Sequence, residues 1–126
     1  MTEVASLAFM RRVPGEIVCM RVLVVDDETD IGAFAARVLE ARDLACTVVS
    51  AAREARELLS TEAFDLVLSD LQMPQMSGIE LHYSLVAAGN PAAGRMAFLT
   101  GSANSPMHQT FFRRIGGPYL EEPFDV

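Results

Sequence analysis

Short apolar runs alternate along the chain with longer stretches in which apolar residues recur at helical spacing. The short runs lack polar alternation, as is typical of strands buried on both faces of a sheet, and they are RVLVV (21–25), CTVVS (46–50), DLVLS (65–69) and MAFLT (96–100). A further strand is expected to end at Glu122. The helix-like stretches between them cover residues 30–39, 52–59, 78–86 and 105–115. This alternation predicts right-handed βαβ units and a parallel sheet in an α/β fold.

Polar side chains follow the predicted strands at the points where those strands end. They are Asp26 and Asp27 after the first strand, Asp70 after the third, Thr100 after the fourth and Glu122 after the last. Because the carboxyl ends of parallel strands meet at one edge of a sheet, we expect these groups to lie close together. Carboxylate and carbonyl oxygens are the ligands that Mg²⁺ selects, so the pattern favours a magnesium site.

Each of these residues also has a simpler explanation when it is considered alone. The alternatives are helix capping by Asp27, Thr29 or Asp30, a turn closed by Asp70, ordinary strand propensity for Thr100, and a solvated surface pair of Glu121 and Glu122. Taken together, however, several like charges at one rim would repel one another without compensation. The set as a whole therefore favours a functional site.

Composition narrows the class of protein further. The chain has 126 residues, 51% of them hydrophobic, which suits one domain with one proper core. Its net charge of −7 opposes binding to nucleic acid or to an anionic membrane, and its basic residues are all arginine. Cys19 and Cys46 are too few and too isolated for a disulfide framework, and no apolar run reaches the ~18 residues of a membrane span. We expect a cytoplasmic protein.

Four ordered motifs relate the chain to a known family. VLVVDDE (22–28), SDLQMPQMSG (69–78), LTGSA (99–103) and YLEEPF (119–124) resemble, in sequence and spacing, the receiver domain of two-component response regulators, the CheY-like family. The resemblance implies a flavodoxin-like, doubly wound, five-stranded parallel sheet with the strand order 2-1-3-4-5. It covers residues 21 to 124, and it suggests a division into an N-terminal extension (1–19) and a receiver domain (20–126).

The resemblance also assigns roles to the acidic residues. Asp70 would be the phosphoacceptor, a carboxylate nucleophile that takes a phosphoryl group from a phosphohistidine or a small phosphodonor. Mg²⁺ would be held by Asp26 or Asp27, by Asp70 and by the backbone carbonyl of Gln72. The chain would at most phosphorylate itself from a phosphodonor and later hydrolyse that phosphate, so it is not expected to be a classical enzyme.

Further positions match the switch and the loop of the family. The hydroxyl of Thr100 would contact a phosphoryl oxygen, and Gly78 would leave room in the loop after the nucleophile. Tyr119 matches the aromatic switch position, although ordinary packing at the edge of the sheet explains this residue equally well.

Glu122 departs from the family pattern. The resemblance places a lysine immediately before Pro123, where its ammonium group would contact the phosphoryl group, and this chain contains no lysine. Two outcomes follow: Glu122 could strengthen binding of a divalent cation while it opposes the incoming phosphate, or it could turn to solvent and leave the site without its usual cation. Both predict a degenerate or atypical receiver.

The ends of the chain supply a second departure. The family adds a fifth helix after that proline, and here only Phe124, Asp125 and Val126 remain, so we expect this helix to be missing. Residues 2–12 could form a short helix that covers the vacated face, in their own subunit or in a homodimer. Alternatively, Met10 or Met20 is the true start and the segment is a tail, or the chain is a fragment of a longer regulator or hybrid kinase.

Two functions therefore stay open at this point. The first is a phosphoryl-accepting switch that is served by a sensor histidine kinase or a phosphotransfer protein and signals through a protein output partner. The second is a phosphorylation-independent interaction module that has kept the fold. Asp70 and Thr100 favour the first function, whereas Glu122 favours the second.

Overall fold

The computed structural model describes residues 20–99 and 106–115 in full, and it describes the backbone of Thr100 and of three short strands at 12–13, 16–17 and 119–121. The strands are β1 (Arg12–Val13), β2 (Glu16–Ile17), β3 (Arg21–Val25), β4 (Ala45–Val49), β5 (Leu66–Asp70), β6 (Met96–Thr100) and β7 (Tyr119–Glu121). The helices are α1 (Thr29–Glu40), α2 (Ala52–Leu59), α3 (Gly78–Ala87) and α4 (Pro106–Ile115), with a 3-10 helix at Pro91–Arg95.

Five of the strands form one parallel sheet in the order β4-β3-β5-β6-β7. Counted along the chain, this is the order 2-1-3-4-5, so the doubly wound, flavodoxin-like fold expected from the resemblance is confirmed. The order places β3 and β5 beside each other, and their carboxyl ends therefore lie at the same edge of the sheet.

β1 and β2 form a separate antiparallel pair in which Arg12 lies opposite Ile17. The suggestion of a helix over residues 2–12 is therefore wrong for Arg12, because Pro14 and Gly15 favour a chain reversal at this point. The rest of that suggested helix lies outside the described residues.

β4 does not fit the expectation that every strand is buried on both faces. Its five residues are exposed or half-buried, and Val48 retains 43% of its accessible surface. The physical reason is its position: β4 is the outermost strand, and it pairs with β3 on one side only. β3 and β5, in the interior of the sheet, are buried almost throughout.

The two faces of the sheet carry separate apolar clusters. On one face, Leu23, Val67 and Phe98 pack with residues of α2, α3 and α4. The other face, called the α1 face below, is formed by alternate strand residues together with α1, and its strand members are Val22, Val24, Leu66, Leu68, Ala97 and Leu99. Burial of each leucine or valine contributes about 2 kcal/mol, so both layers stabilise the edge at which β3 and β5 end.

None of the helices described here is long and apolar enough to cross a membrane.

Candidate functional site

The first part of the candidate site lies immediately after β3. Asp26 and Asp27 follow Val25, and because neighbouring residues of an extended chain point in opposite directions, the two carboxylates differ in environment. Asp26 is buried, with 1% of its surface exposed, whereas Asp27 is exposed to solvent. Asp26 therefore lies at the inner side of the candidate site, and Asp27 lies at its solvent side.

β5 supplies the third carboxylate. Asp70 is the last residue of this strand and is 8% exposed. Its Oδ1 accepts a hydrogen bond from the backbone N–H of Gln72 at 3.2 Å. Carboxylate oxygens of Asp26, Asp27 and Asp70 all lie within 4.8 Å of one another. The structure thus brings Asp70 together with an acidic pair that lies more than forty positions earlier in the sequence.

Among the residues that the structure describes, the carboxylate of Asp26 lacks a partner that would balance its negative charge. One carboxylate oxygen, Oδ1, accepts a hydrogen bond from the backbone N–H of Glu28 at 2.9 Å. The other, Oδ2, is buried and has no hydrogen-bond partner. Burial raises the pKa of Asp26 to about 6, against the hydrogen bond from Glu28, and repulsion by Asp70, Asp27 and Glu28 adds to the rise. A cation beside Oδ2 would reverse this effect.

The donor set fits magnesium. The three side chains offer hard, anionic oxygens, which is the chemistry that Mg²⁺ prefers, and a buried oxygen without a partner is a ready ligand. The backbone carbonyl of Gln72 stays a prediction as a further ligand.

Helix capping and turn formation are the local roles open to these acidic residues. α1 begins at Thr29, its N-cap residue is Glu28, and no side chain caps it by a hydrogen bond, so capping does not account for Asp27. Asp70 does accept a local hydrogen bond from Gln72, as a turn residue would, and it belongs to the acidic cluster as well.

The loop after Asp70 is held tightly against that residue. A Cβ atom on Gly78 would lie 2.2 Å from the carbonyl oxygen of Asp70, so no other residue fits there without a shift of the backbone. The N–H of Gly78 donates to the carbonyl of Leu71 at 2.9 Å. Ser77 and Glu80 form a reciprocal capping box that starts α3 at this point. The loop is therefore fixed at both of its ends.

The remaining predicted site residues are only partly described. The backbone of Thr100 lies in β6 and pairs with Glu121 of β7, which places both next to the candidate site edge. The side chains of Thr100 and Tyr119, and all of Glu122, lie outside the described residues. Their roles stay predictions.

Buried histidines of α3 and α4 were not anticipated. His82 is 8% exposed and lies edge-on to Phe98 and Phe111, and His108 in α4 is 1% exposed. Burial lowers the pKa of His82, against a hydrogen bond with the backbone of Ala93. The available signal was the position of His82 between Leu81 and Leu85, on the side of α3 that meets the core.

An open pocket of about 630 Å³ adjoins the loop after Asp70. Apolar side chains form most of its wall, and they are Leu71, Met73, Ile79 and Met107. Met107 itself is 64% exposed. This pocket does not follow from the sequence, because its walls come from a loop and from two helices that only the fold brings together.

Comparison with known proteins agrees with the fold. The family model described as the response regulator receiver domain matches residues 22–125. An uncharacterised 14.6 kDa protein of Leptolyngbya boryana is 33% identical over 106 residues, which is 84% of this chain and 81% of that protein. The transcriptional regulator NtrC of Klebsiella pneumoniae is 27% identical over 103 residues; the match covers 82% of this chain and 22% of NtrC. The chain thus spans about a fifth of the length of that regulator.

Solved structures give the same result. The receiver domain of Francisella response regulator 1452 aligns with a TM-score of 0.73 and 27% identity, and the alignment covers 84% of this chain and 86% of that one. The chemotaxis protein CheY4 of Vibrio cholerae aligns with a TM-score of 0.76 over 86% of this chain and 90% of that one; at 24% identity it supports the fold alone. Family model, relatives and fold agree, and the chain belongs to the response regulator receiver domain family.

Proposed function

We propose that this receiver accepts a phosphoryl group on Asp70 within a two-component phosphorelay, with Mg²⁺ bound by Asp26, Asp27 and Asp70. The observation that carries the proposal is the cluster of three carboxylates within 4.8 Å, of which one oxygen is buried without a hydrogen-bond partner. Burial of like-charged carboxylates destabilises the fold, and a cluster without a function would have nothing to offset this cost.

The chemistry follows from the position of Asp70. A carboxylate oxygen of Asp70 attacks the phosphorus of a phosphohistidine, an O–P bond forms, and the P–N bond breaks with its electron pair left on the imidazole. Water later hydrolyses the resulting acyl phosphate and restores the carboxylate. When bound, Mg²⁺ supplies positive charge that offsets the negative charge of the phosphoryl oxygens. The hydrogen bond from Gln72 and the close contact with Gly78 hold Asp70 in place for this reaction.

We infer that Glu122 weakens this reaction. The resemblance places a lysine at this position, so the exchange changes the local charge by two units. At a separation of ~5 Å and an effective dielectric constant of ~20, an attraction of about 3 kcal/mol becomes a repulsion of similar size. In this chain the incoming phosphoryl group meets four carboxylates. In the family pattern it meets three carboxylates and one ammonium group.

Intact-mass spectrometry tests both parts of this proposal. The chain is incubated with Mg²⁺ and a small phosphodonor such as phosphoramidate, and the gain of one phosphate is followed over time. We expect slow, incomplete phosphorylation that is absent in Asp70→Asn and faster in Glu122→Lys. Glu121→Lys is the matched control, because it adds the same charge one residue earlier.

The outcomes separate the two claims. Phosphorylation that persists in Asp70→Asn would exclude Asp70 as the acceptor. Phosphorylation of the unaltered chain that is as complete as that of Glu122→Lys would refute the impairment.

A phosphorylation-independent interaction module is the second candidate function. The observation in its favour, besides Glu122, is the open apolar pocket beside the loop after Asp70, with Met107 64% exposed at its rim. A protein partner bound there would not need the phosphate. Binding of an output partner that is equally strong for the unaltered chain and for Asp70→Asn would favour this function over the first.

A further inference from the structure

Exposed apolar side chains lie together where α3 meets α4. The residues that the structure describes include five large hydrophobic side chains that are exposed, and three of them belong to these helices: Tyr83 at 41%, Val86 at 53% and Met107 at 64%. The other two, Phe34 of α1 and Val48 of β4, lie on the side of the α1 face. Single exposed apolar residues are normal, whereas a group of them on one surface marks a site of interaction.

α3 and α4 lie side by side and run in the same direction. Ile79 and Met107 line the same pocket, about one turn before the rings of Tyr83 and Phe111, whose centres are 6.0 Å apart. In both pairs the residue of α4 comes 28 positions after the residue of α3. Because residues four apart lie on one side of a helix, this constant offset defines the flank on which each helix meets the other.

Opposite charges lie at the two ends of this contact. The same offset of 28 positions places Arg114 beside Val86, near the carboxyl ends of both helices. Near the amino ends, Glu80 lines the pocket together with Met107. Neither Glu80 nor Arg114 forms an ion pair with another residue of the described ranges. Together these side chains form the α3–α4 surface, which consists of Ile79, Glu80, Tyr83, Val86, Met107 and Arg114.

The α3–α4 surface is complementary to itself. Tyr83 lies midway along it, three residues after Glu80 and three before Val86. A two-fold axis that passes beside Tyr83 brings the amino end of one copy of the surface onto the carboxyl end of the other. Each Val86 then faces the pocket of the other copy, and each Arg114 faces the other copy's Glu80.

We propose that two copies of this chain associate through their α3–α4 surfaces, with Val86 of each copy in the pocket of the other and Arg114 paired with the other copy's Glu80. The pocket suits an apolar side chain, because its walls are apolar and include Met73 and Met107, which adapt to the shape of an occupant. An arginine and a carboxylate can form two parallel hydrogen bonds, which fix the orientation of the two copies.

The order of the charges favours a second copy over an unrelated partner. A surface with one acidic end and one basic end needs a partner with the reverse order, and rotation of the same surface supplies it. The surface is formed by six residues, whereas a stable interface takes about 20–30 residues on each side. We therefore expect a weak dimer, with a Kd of about 10 μM to 1 mM.

Such a dimer would contact the candidate site. Leu71 and Gln72 directly follow Asp70 and form part of the wall of the pocket. A side chain bound in the pocket therefore lies against the loop that adjoins Asp70. The association itself needs no phosphate, so this inference is independent of whether Asp70 is phosphorylated.

Sedimentation equilibrium of the unaltered chain, at concentrations from about 10 μM to 1 mM, tests the association. We expect the average mass to rise from that of a monomer towards that of a dimer. Arg114→Glu should weaken the dimer about tenfold, because the two-fold axis repeats each new repulsion. Arg113→Glu is the matched control: it makes the same charge change about 100° further round α4, away from this flank, and should have little effect.

Two further variants test the partners of Arg114 and of the pocket. Glu80→Gln removes the charge but keeps an oxygen for the capping box, so it should weaken the dimer without loss of the start of α3. If Glu80 pairs with Arg114, addition of Arg114→Gln to this variant should have little further effect. Val86→Asp changes an exposed residue and should abolish the dimer without unfolding the chain.

Three outcomes would overturn the proposal. The first is a chain that stays monomeric over the whole concentration range. The second is a dimer that Arg113→Glu and Arg114→Glu weaken equally, because only the net charge would then matter. The third is a dimer that Val86→Asp leaves intact, since the two copies would then meet through another surface.

Discussion

Replacement of Asp26 by asparagine is expected to stabilise the metal-free protein at neutral pH. Asparagine has the shape of aspartate, so its Oδ1 can still accept the hydrogen bond from the N–H of Glu28. Its amide replaces the buried Oδ2 that has no hydrogen-bond partner, and it removes the charge that Asp27 and Asp70 repel.

The magnitude follows from the pKa of Asp26. Its rise from 3.8 to about 6 means that the folded state resists ionisation of this group. Two pKa units correspond to about 3 kcal/mol. Water reaches the cluster through the exposed Asp27, and with that screening we expect about 1–2 kcal/mol, or about 4–10 °C in Tm.

The sign of the pH dependence is fixed by the direction of the shift. Because the pKa is higher in the folded state, the contribution of Asp26 is fully present below pH 3.8 and is lost as the pH rises through about 6. Asparagine does not titrate. The advantage of Asp26→Asn should therefore be small at pH 4 and should grow to its full size by pH 7.5.

Urea unfolding in the presence of EDTA measures this difference at each pH. Asp30→Asn, which removes an exposed carboxylate in the first turn of α1, is the matched control and should bring no gain in stability. Addition of Mg²⁺ should stabilise the unaltered chain more than Asp26→Asn and so narrow the gap. An advantage of the same size at pH 4 and pH 7.5, or no advantage at all in EDTA, would refute the reasoning.

Three further predictions concern the loop and α3. Gly78→Ala should destabilise the fold by several kcal/mol, because its Cβ would lie 2.2 Å from the carbonyl oxygen of Asp70. Gly94→Ala, whose Cβ meets nothing within 4 Å, should be nearly neutral in the same urea titration. Ser77→Ala should cost about 1 kcal/mol through loss of the capping box, and hydrogen exchange in the first turn of α3 should report it. Because burial lowers the pKa of His82, its contribution is present above pH 6.5 and is lost as the pH falls below that value. A stability profile between pH 5 and pH 8 that is equally steep in His82→Leu would contradict this assignment.

Much of the fold could be predicted because its elements have clear periodicities. The apolar runs at 21–25 and 96–100 and the helical stripe at 52–59 coincide with β3, β6 and α2. β4 was placed within one residue, but its exposure was not foreseen, since an apolar run carries no signal that tells an edge strand from a central one.

The meeting of three carboxylates could be predicted from the sequence, but their burial and pKa values could not. Parallel topology brings Asp26, Asp27 and Asp70 to one edge, so their meeting follows from the order of the strands. The sequence does not show whether Asp26 or Asp27 is the buried residue. β3 is apolar on both faces, so no alternation of polar residues shows which way Asp26 points. His82 was missed for a related reason, because a polar residue on a helix is normally expected to face solvent.

The contact between Gly78 and Asp70 has a mechanical consequence. The first turn of α3 rests directly on the carbonyl group of Asp70, and the N–H of Gly78 donates a hydrogen bond of 2.9 Å to the carbonyl of Leu71. Strand end, loop and helix start therefore move as one rigid unit. We therefore expect a change at Asp70 to move this helix with it and not to slide the helix away. The same change would also reach β6, because Asp70 pairs with Leu99.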